Sequence, residues 1–575
     1  MTAPTGVAGA LDRAGGAIGD GLARLVDWAA ARPWRGMVLA GLVALVAALP
    51  GLTALPVTDR DEGRFVQATK QMMETGDYVD IRFQDEPRWK KPVGIYWLQA
   101  AAAMPFGAEA APVAAYRLPS MLAVVLSAMA TVWAARALVA PRVAVLAGMG
   151  LGCVVLAAAE ATIAKTDAAL MLTAVLAFGA LARIVTGAPE RFTWIVFWLA
   201  IAGAILLKGP IVPLIALLAV VGIAVLRRRL PPLAGLRPLP GLVLTAALVL
   251  PWLVAIWEVS GGGFFAEAVG EDLLGKVSEG KEKHWGPPGL YTAIVWGTFW
   301  PLAGLLPGAI ATLWARRAAV REGALMVALA WILPFWIVLE AVPTKLPHYV
   351  LPLYPALAIL VAWHVLEGEA PARRWLVRAG AVVTALPGLA LGLAAIVLPV
   401  ALEGRLVAGA ALLGLAGAVL ALVAGRAALQ GRMLAQAGAG GLSALAVIAA
   451  ALQFALPALD SAFATPRLVA MAEPWRACGQ GPLVSIGYRE PSLVFTAGTD
   501  TLMPTTDEGA DLLARPGAVA LVTDRRRARL EALMAERGGP RLVERDAHRY
   551  FNYNRGNWET TRLMTADDPR FDACG

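Results

Sequence analysis

Charge is scarce in this chain. Asp, Glu, Lys and Arg make up 16% of its 575 residues against 58% hydrophobic ones, and mean hydropathy is +0.64. Soluble domains run at roughly 45–50% apolar residues, so these numbers exclude an ordinary soluble enzyme and indicate a polytopic membrane protein. A cleavable leader is not expected either. Residues 1 to 33 hold neither a long apolar core nor a small-residue cleavage site, so residues 1–36 read as a cytoplasmic N-terminal arm. Cysteine is limited to three positions: Cys153 in an apolar segment, and Cys478 and Cys574 flanking a soluble tail. A disulfide between the last two suits an oxidising periplasm, and two free thiols are the alternative. The formal net charge of +8 does not point to nucleic acid, because the arginines cluster in short loops between apolar segments, where they set orientation.

What is present in abundance is apolar sequence. Segments near 37–56, 115–138, 142–160, 166–187, 191–207, 209–226, 238–258, 289–314, 322–342, 348–365, 374–399, 402–425 and 438–458 are each long enough for a hydrocarbon core of roughly 30 Å. A fourteenth, 94–107, is too short to span and carries Tyr96, Trp97 and Gln99, so it reads as an interfacial helix inside an outer loop, 57–114. About thirteen spans remain. With the N-terminus inside, Arg136, Arg142, Arg183, Arg191, Arg227–Arg229, Arg316, Arg317, Arg373, Arg374, Arg426 and Arg432 all become cytoplasmic, as the positive-inside rule asks. Lysine then separates cleanly. All nine lysines among the 50 basic residues fall at the outer face, where compact ammonium groups suit phosphate.

That face carries the chemistry. The first outer loop reads Thr58-Asp59-Arg60-Asp61-Glu62-Gly63-Arg64-Phe65, and carboxylates beside a bilayer need a reason to be there. Arg88-Trp89-Lys90-Lys91-Pro92-Val93-Gly94-Ile95-Tyr96-Trp97 follows, a cationic step that serves membrane anchoring as well as phosphate. Asp167 opens a span after Glu160 and Lys165-Thr166, in a place that also suits a plain helix cap. Lys208-Gly209-Pro210 and Lys345-Leu346-Pro347-His348-Tyr349 bracket lysines with helix breakers, whose freed backbone groups imply a polar, protein-lined cavity. His284 lies in a further outer loop.

Taken in order, Asp61-Glu62-Gly63-Arg64-Phe65, Lys91-Pro92-Val93-Gly94-Ile95-Tyr96-Trp97, Lys165-Thr166-Asp167, Lys208-Gly209-Pro210 and Lys345-Leu346-Pro347-His348-Tyr349 resemble the aminoarabinose lipid A transferases and bacterial relatives of the protein mannosyltransferases. These are GT-C glycosyltransferases, and the resemblance runs from about residue 37 to 365. It implies an all-α polytopic membrane protein of GT-C fold: a transmembrane domain over 37–458 with interfacial helices in the first periplasmic loop, in the bacterial inner membrane. It implies inverting transfer of a sugar from an undecaprenyl-phosphate-linked donor, on the periplasmic side, to lipid A or another glycolipid, a glycan or a protein. Asp61 is then expected at the reaction centre with Glu62 beside it, Asp167 as a second acid, and Lys91 on the donor phosphate. Lys208 and Lys345 are expected on that phosphate too, with Arg64, His348 and Tyr349 near them. In the family a glutamate preceding the lysine can bind a metal with a loop histidine. Here that position is Lys90, so no cofactor is required, and a divalent metal, with His284 as its candidate ligand, is left open.

Residues 459–575 alternate apolar runs at 483–487 and 518–522 with a helical stretch near 524–537, the pattern of a small α/β domain on the periplasmic side. Tyr550, Asn552 and Tyr553 read as strand residues. Membrane lipids are the expected surroundings and a monomer the expected state. A secondary transporter and a non-catalytic envelope assembly subunit are the rival readings. The first should place ionisable groups near mid-membrane and show repeated halves, and no internal repeat is evident.

Overall fold

The computed structural model of the chain describes residues 6–58, 61–275, 285–369, 373–515, 517–553, 555–571 and 574. Each of the thirteen apolar segments is built of helix. Among the described residues seven helices are long and apolar enough to cross a membrane, and two further pairs qualify together although bent by 57° and 114°. Four apolar helices are shorter: Pro33–Ala48, Thr193–Lys208, Ile211–Arg227 and Met326–Ala341. Apolar burial cannot drive helices together inside lipid, so close backbone approach does much of the work. Where the Arg374–Glu403 and Ala408–Leu429 helices cross, a Cβ on Gly392 would lie 2.4 Å from the Gly414 carbonyl, and one on Gly414 would lie 2.5 Å from that of Gly392.

Three departures from the sequence pattern shape the site. The first span, expected over 37–56, is helical over Pro33–Ala48, because Pro50 and a left-handed Gly51 (φ +82°) turn the chain. The segment expected at 142–160 breaks between Gly152 and Val155, where the Val155 amide donates to the Trp300 carbonyl at 3.0 Å. The segment at 289–314 folds back on itself between Thr298 and Leu302. The expected interfacial segment is a Gly94–Ala103 helix ending in a Met104–Phe106 turn, preceded by a short hairpin, β1 (Arg82–Phe83) and β2 (Glu86–Pro87).

The N-terminal arm is itself a helix, Val7–Ala30. Its small residues pack on the Met433–Ala449 helix, a Cβ on Gly19 coming 3.1 Å from that of Ala435, and Asp12 pairs with Arg426 at 2.9 Å.

The tail starts with an Ala464–Gly479 helix and builds a four-stranded sheet from β3 (Leu483–Ile486), β4 (Val519–Thr523), β5 (Leu542–Asn552) and β6 (Asn557–Ala566), in the order β3-β4-β6-β5. β3 and β4 run parallel, and the other two pairs are antiparallel. The two expected strands and the 524–537 helix (Asp524–Glu536) are present, and Tyr550 and Asn552 lie on β5, whereas Tyr553 falls in the turn after it. Apart from that end of β5, the β5–β6 hairpin was not foreseen, because its residues are too polar to mark a strand; Tyr550 is the one buried side chain on β5. Cys478 and Cys574 are joined in a disulfide, their Cα atoms 6.1 Å apart, and Cys153 is a buried free thiol.

Candidate active site

The Asp61–Thr75 helix carries the first motif, and its second residue fixes where the first one sits. Glu62 is fully buried and makes a two-pronged ion pair with Arg117, Oε1 to Nε at 2.7 Å and Oε2 to Nη2 at 2.9 Å. It also accepts from the Thr58 amide (2.8 Å), the Thr58 hydroxyl (2.9 Å) and the Ala164 amide (2.9 Å). Burial pushes the Glu62 carboxyl pKa up, but Arg117 and these donors outweigh it and hold it below the usual glutamate range. Arg117 spends its remaining N–H groups on the carbonyls of Gly51, Leu52, Leu55 and Pro56, the turn that ends the first apolar helix. With its lone pairs filled, Glu62 is a positioning residue. It ties residues 51–58 to the 164 turn and leaves Asp61, exposed at the helix N-terminus, facing Lys165, whose charge it affects.

The 57° bend brings Glu160 to the same place. Glu160, Lys165, Asp167, Lys208 and His348 form one cluster, drawn from three helix ends and two turns. Lys165 Nζ lies 2.9 Å from Glu160 Oε1 and 3.8 Å from Asp167 Oδ2. Lys208, at the C-terminus of the Thr193–Lys208 helix, reaches Asp167 Oδ1 at 2.5 Å. The His348 ring sits between them, Nδ1 at 3.2 Å from Lys165 Nζ and Nε2 at 3.6 Å from Asp167 Oδ2. Lys208 also lies over the Tyr349 ring, 5.0 Å from its centre. Burial lowers the Lys165 pKa, but Glu160 and then Asp167 more than compensate and keep it above the ordinary lysine range. Bare charges at these depths would be very costly, and the alternation of carboxylate and ammonium offsets part of that cost.

Of the residues singled out from sequence, Asp167, Lys208, His348 and Tyr349 come together here, with Asp61 at the edge. Lys91 is half-buried, its ammonium 3.2 Å from the Lys90 carbonyl. It heads the Gly94–Ala103 helix, whose Gly94 lies so near the Leu206 carbonyl that a Cβ would approach it to 2.7 Å, which sets this segment beside the end of the Lys208 helix. Lys345 is placed elsewhere. It is buried, donates to the carbonyls of Leu339 (2.9 Å), Glu340 (2.9 Å) and Val342 (2.8 Å), and lies over Tyr291. Its ammonium thus caps the Met326–Ala341 helix. Arg64 is exposed and lines a separate cavity beside the tail. His284 and the Asp59-Arg60 pair lie outside the described residues, as do Lys276, Lys281 and Lys283. Among the described residues no group of three or more His, Cys, Asp or Glu is arranged to hold a metal ion; in the cluster, Lys165 lies between the two carboxylates where a cation would otherwise sit.

Sequence reasoning gave Glu160 and Lys165 no role of their own and passed over Arg117. A signal for Arg117 was available: it is an arginine inside the apolar Val113–Ala135 helix, and such a charge has to find a buried partner. Nothing local pairs Glu160 with His348, 188 positions further along the chain, because bends set that contact.

No family model matches the chain. It is 30% identical over 348 residues to the undecaprenyl phosphate-alpha-4-amino-4-deoxy-L-arabinose arabinosyl transferase of Edwardsiella ictaluri, a match covering 59% of this chain and 61% of that protein. It is 27% identical over 378 residues to the transferase of the same name from Yersinia pestis, covering 64% and 67%. The crystal structure of ArnT from Cupriavidus metallidurans bound to undecaprenyl phosphate superposes with a TM-score of 0.68 at 20% identity, over 91% of this chain and 97% of that one; its apo form gives 0.67. The chain spans about three fifths of the length of the first of these relatives; it is similar in sequence to aminoarabinose transferases, as the five motifs led one to expect, and its fold is that of the ArnT crystal structures.

Proposed function

We propose that the chain is an inverting glycosyltransferase that takes a sugar, aminoarabinose or one like it, from an undecaprenyl-phosphate carrier and passes it to lipid A or another envelope acceptor. The observation that carries this reading is the buried Glu160–Lys165–Asp167–Lys208–His348 cluster beside Asp61. The names of the sequence relatives, and the undecaprenyl phosphate in the C. metallidurans ArnT crystal, support the choice of carrier. All thirteen apolar helices then cross the inner membrane. The cluster and the tail face the periplasm, where a Cys478–Cys574 disulfide is stable.

The chemistry follows from the charges. An acceptor oxygen attacks the anomeric carbon from the face opposite the lipid phosphate, and the sugar–oxygen bond breaks with its electron pair leaving on the phosphate. Negative charge grows on that phosphate while the sugar becomes oxocarbenium-like, so fixed cations at the leaving group lower the barrier. Lys208 and Lys165 supply them, with the His348 ring beside them as a hydrogen-bonding group and Lys91 at the entrance. Glu160 and Asp167 hold the Lys165 and Lys208 ammonium groups in place before the donor arrives. Asp61 orients the acceptor and, for a hydroxyl, takes its proton. The test is transfer from a radiolabelled undecaprenyl-phosphate sugar to lipid A vesicles by the purified chain. Wild type should transfer, and Asp61→Asn should lose activity by about 10²- to 10⁴-fold if it removes a proton. A fully active Asp61→Asn variant would take Asp61 out of the mechanism.

A further inference from the structure

Beside the cluster, a polar cavity of about 610 Å³ opens between the Asp61–Thr75 helix and the tail. That volume lies in the usual range for small-molecule sites, roughly 300–1,000 Å³. Five arginines line it: Arg64 from the helix, and Arg489, Arg526, Arg529 and Arg555 from the tail. Three carboxylates face the same space, Glu490, Asp507 and Glu559, so five positive charges against three leave an excess of two. Asp507 is paired with Arg529 at 2.7 Å and Glu559 with Arg555 at 3.0 Å. Arg489 donates to the Pro504 carbonyl at 2.8 Å. Arg64 and Arg526 have no ion pair among the described residues.

Two glycines show how closely this cavity is built onto the active-site helix. A Cβ on Gly63 would lie 2.7 Å from the Ser492 amide nitrogen, so the Pro491–Ala497 helix of the tail rests directly on the turn that begins with Asp61. Gly487, at φ +98°, leaves room for Arg526, whose Cγ a Cβ there would approach to 3.0 Å. Arg64 is three residues after Asp61 on one helix, hence on the same face. The cavity and the transfer site therefore share one helical turn.

We infer that this cleft holds the phosphate groups of a phosphorylated glycolipid acceptor, presenting its nucleophilic oxygen to Asp61. Guanidinium groups grip phosphate through paired N–H donors, and among the described residues Arg64, Arg489 and Arg526 of the cleft have no ion pair with a carboxylate. The inference rests on reading the neighbouring cluster as a glycosyl-transfer site, and it assigns the tail a role in acceptor recognition.

The test uses the full chain in detergent and titration calorimetry with a bisphosphorylated glucosamine disaccharide. Its dephosphorylated form and inorganic phosphate are run in parallel. The phosphorylated disaccharide should bind, and Arg526→Gln and Arg489→Gln should each weaken it roughly tenfold, the order expected for one charge-assisted contact. Arg526→Lys should retain part of the affinity, and Arg378→Gln, outside the cleft, should retain all of it. Equal affinity in wild type and both cleft variants would overturn the inference, as would equally tight binding of the dephosphorylated sugar or of inorganic phosphate. Binding of radiolabelled undecaprenyl phosphate is measured separately. Donor binding with an unresponsive cleft sinks this inference alone, whereas headgroup binding without donor binding supports the cleft and sinks the reading of the cluster.

Discussion

Replacing Arg117 with methionine keeps the volume of a long side chain and removes the one cation paired with Glu62 among the described residues. Both side chains have 0% exposure, so water cannot take over from the lost partner. Two unit charges about 4 Å apart interact with about 4 kcal/mol at an effective dielectric near 20. Stranding one member of a buried pair costs about 3–5 kcal/mol. Four backbone carbonyls also lose donors, and their turn holds the end of the first apolar helix. Arg117→Met should therefore lower unfolding free energy by about 3–5 kcal/mol. The Arg117→Met/Glu62→Gln double variant should recover part of that loss, since no carboxylate is left stranded. Unfolding of the purified chain in detergent, followed by tryptophan fluorescence, gives both numbers. At a temperature where Arg117→Met is still folded, transfer should fall because Asp61 is no longer held at the 164 turn. A stability loss below about 1 kcal/mol, typical of an exposed pair, or additive effects of the two substitutions, would refute the reasoning.

The same carboxylate predicts a pH dependence. Glu62 titrates below its ordinary value of 4.5 in the folded chain, so its stabilisation is present above that value and is lost as pH falls through the lower folded-state pKa. Glu62→Gln should flatten acid destabilisation over that window, and unchanged acid unfolding would contradict it. Lys208→Met should raise the donor KM and lower kcat, whereas Lys345→Met should cost chiefly stability, since its ammonium caps three carbonyls. The reverse pattern would exchange their roles. Gly63→Ala should weaken docking of the tail on the first outer helix, seen as faster proteolysis of the tail; an unchanged rate would argue against that contact. Cys478→Ser opens a 96-residue link and should destabilise the tail by about 2–4 kcal/mol in unfolding experiments, with no change expected if the thiols are unpaired in the cell.

The helices were legible in the sequence because thirteen apolar runs separated by arginine loops leave few other ways to satisfy backbone groups in lipid. Their interruptions were less legible. Pro50-Gly51 stops the first helix nearer its start than hydropathy suggests, and the break at Cys153-Val154 depends on a carbonyl from Trp300, far along the chain. Asp167, Lys208 and His348 could be picked out because each charge stands beside a helix end or a helix breaker. Lys345 shares that pattern yet turns back onto its own helix, a choice that local sequence does not encode. Glu62 looked like a reactive neighbour of Asp61, and only the position of Arg117, 55 residues on, shows it as an anchor. In the tail, the apolar strands announced themselves, whereas of the polar hairpin only the aromatic end of β5 did.

Lys208, Lys165 and His348 should grip a lipid-borne phosphate next to Asp61. A cryo-electron microscopy map of the full chain with undecaprenyl phosphate tests it most directly. Phosphate density should lie within about 4 Å of the Lys208 and Lys165 ammonium groups, the reach of an ion pair, and should weaken in Lys208→Met. Phosphate density seated away from Lys208 and Lys165, with the cluster's ion pairs intact, would contradict the account.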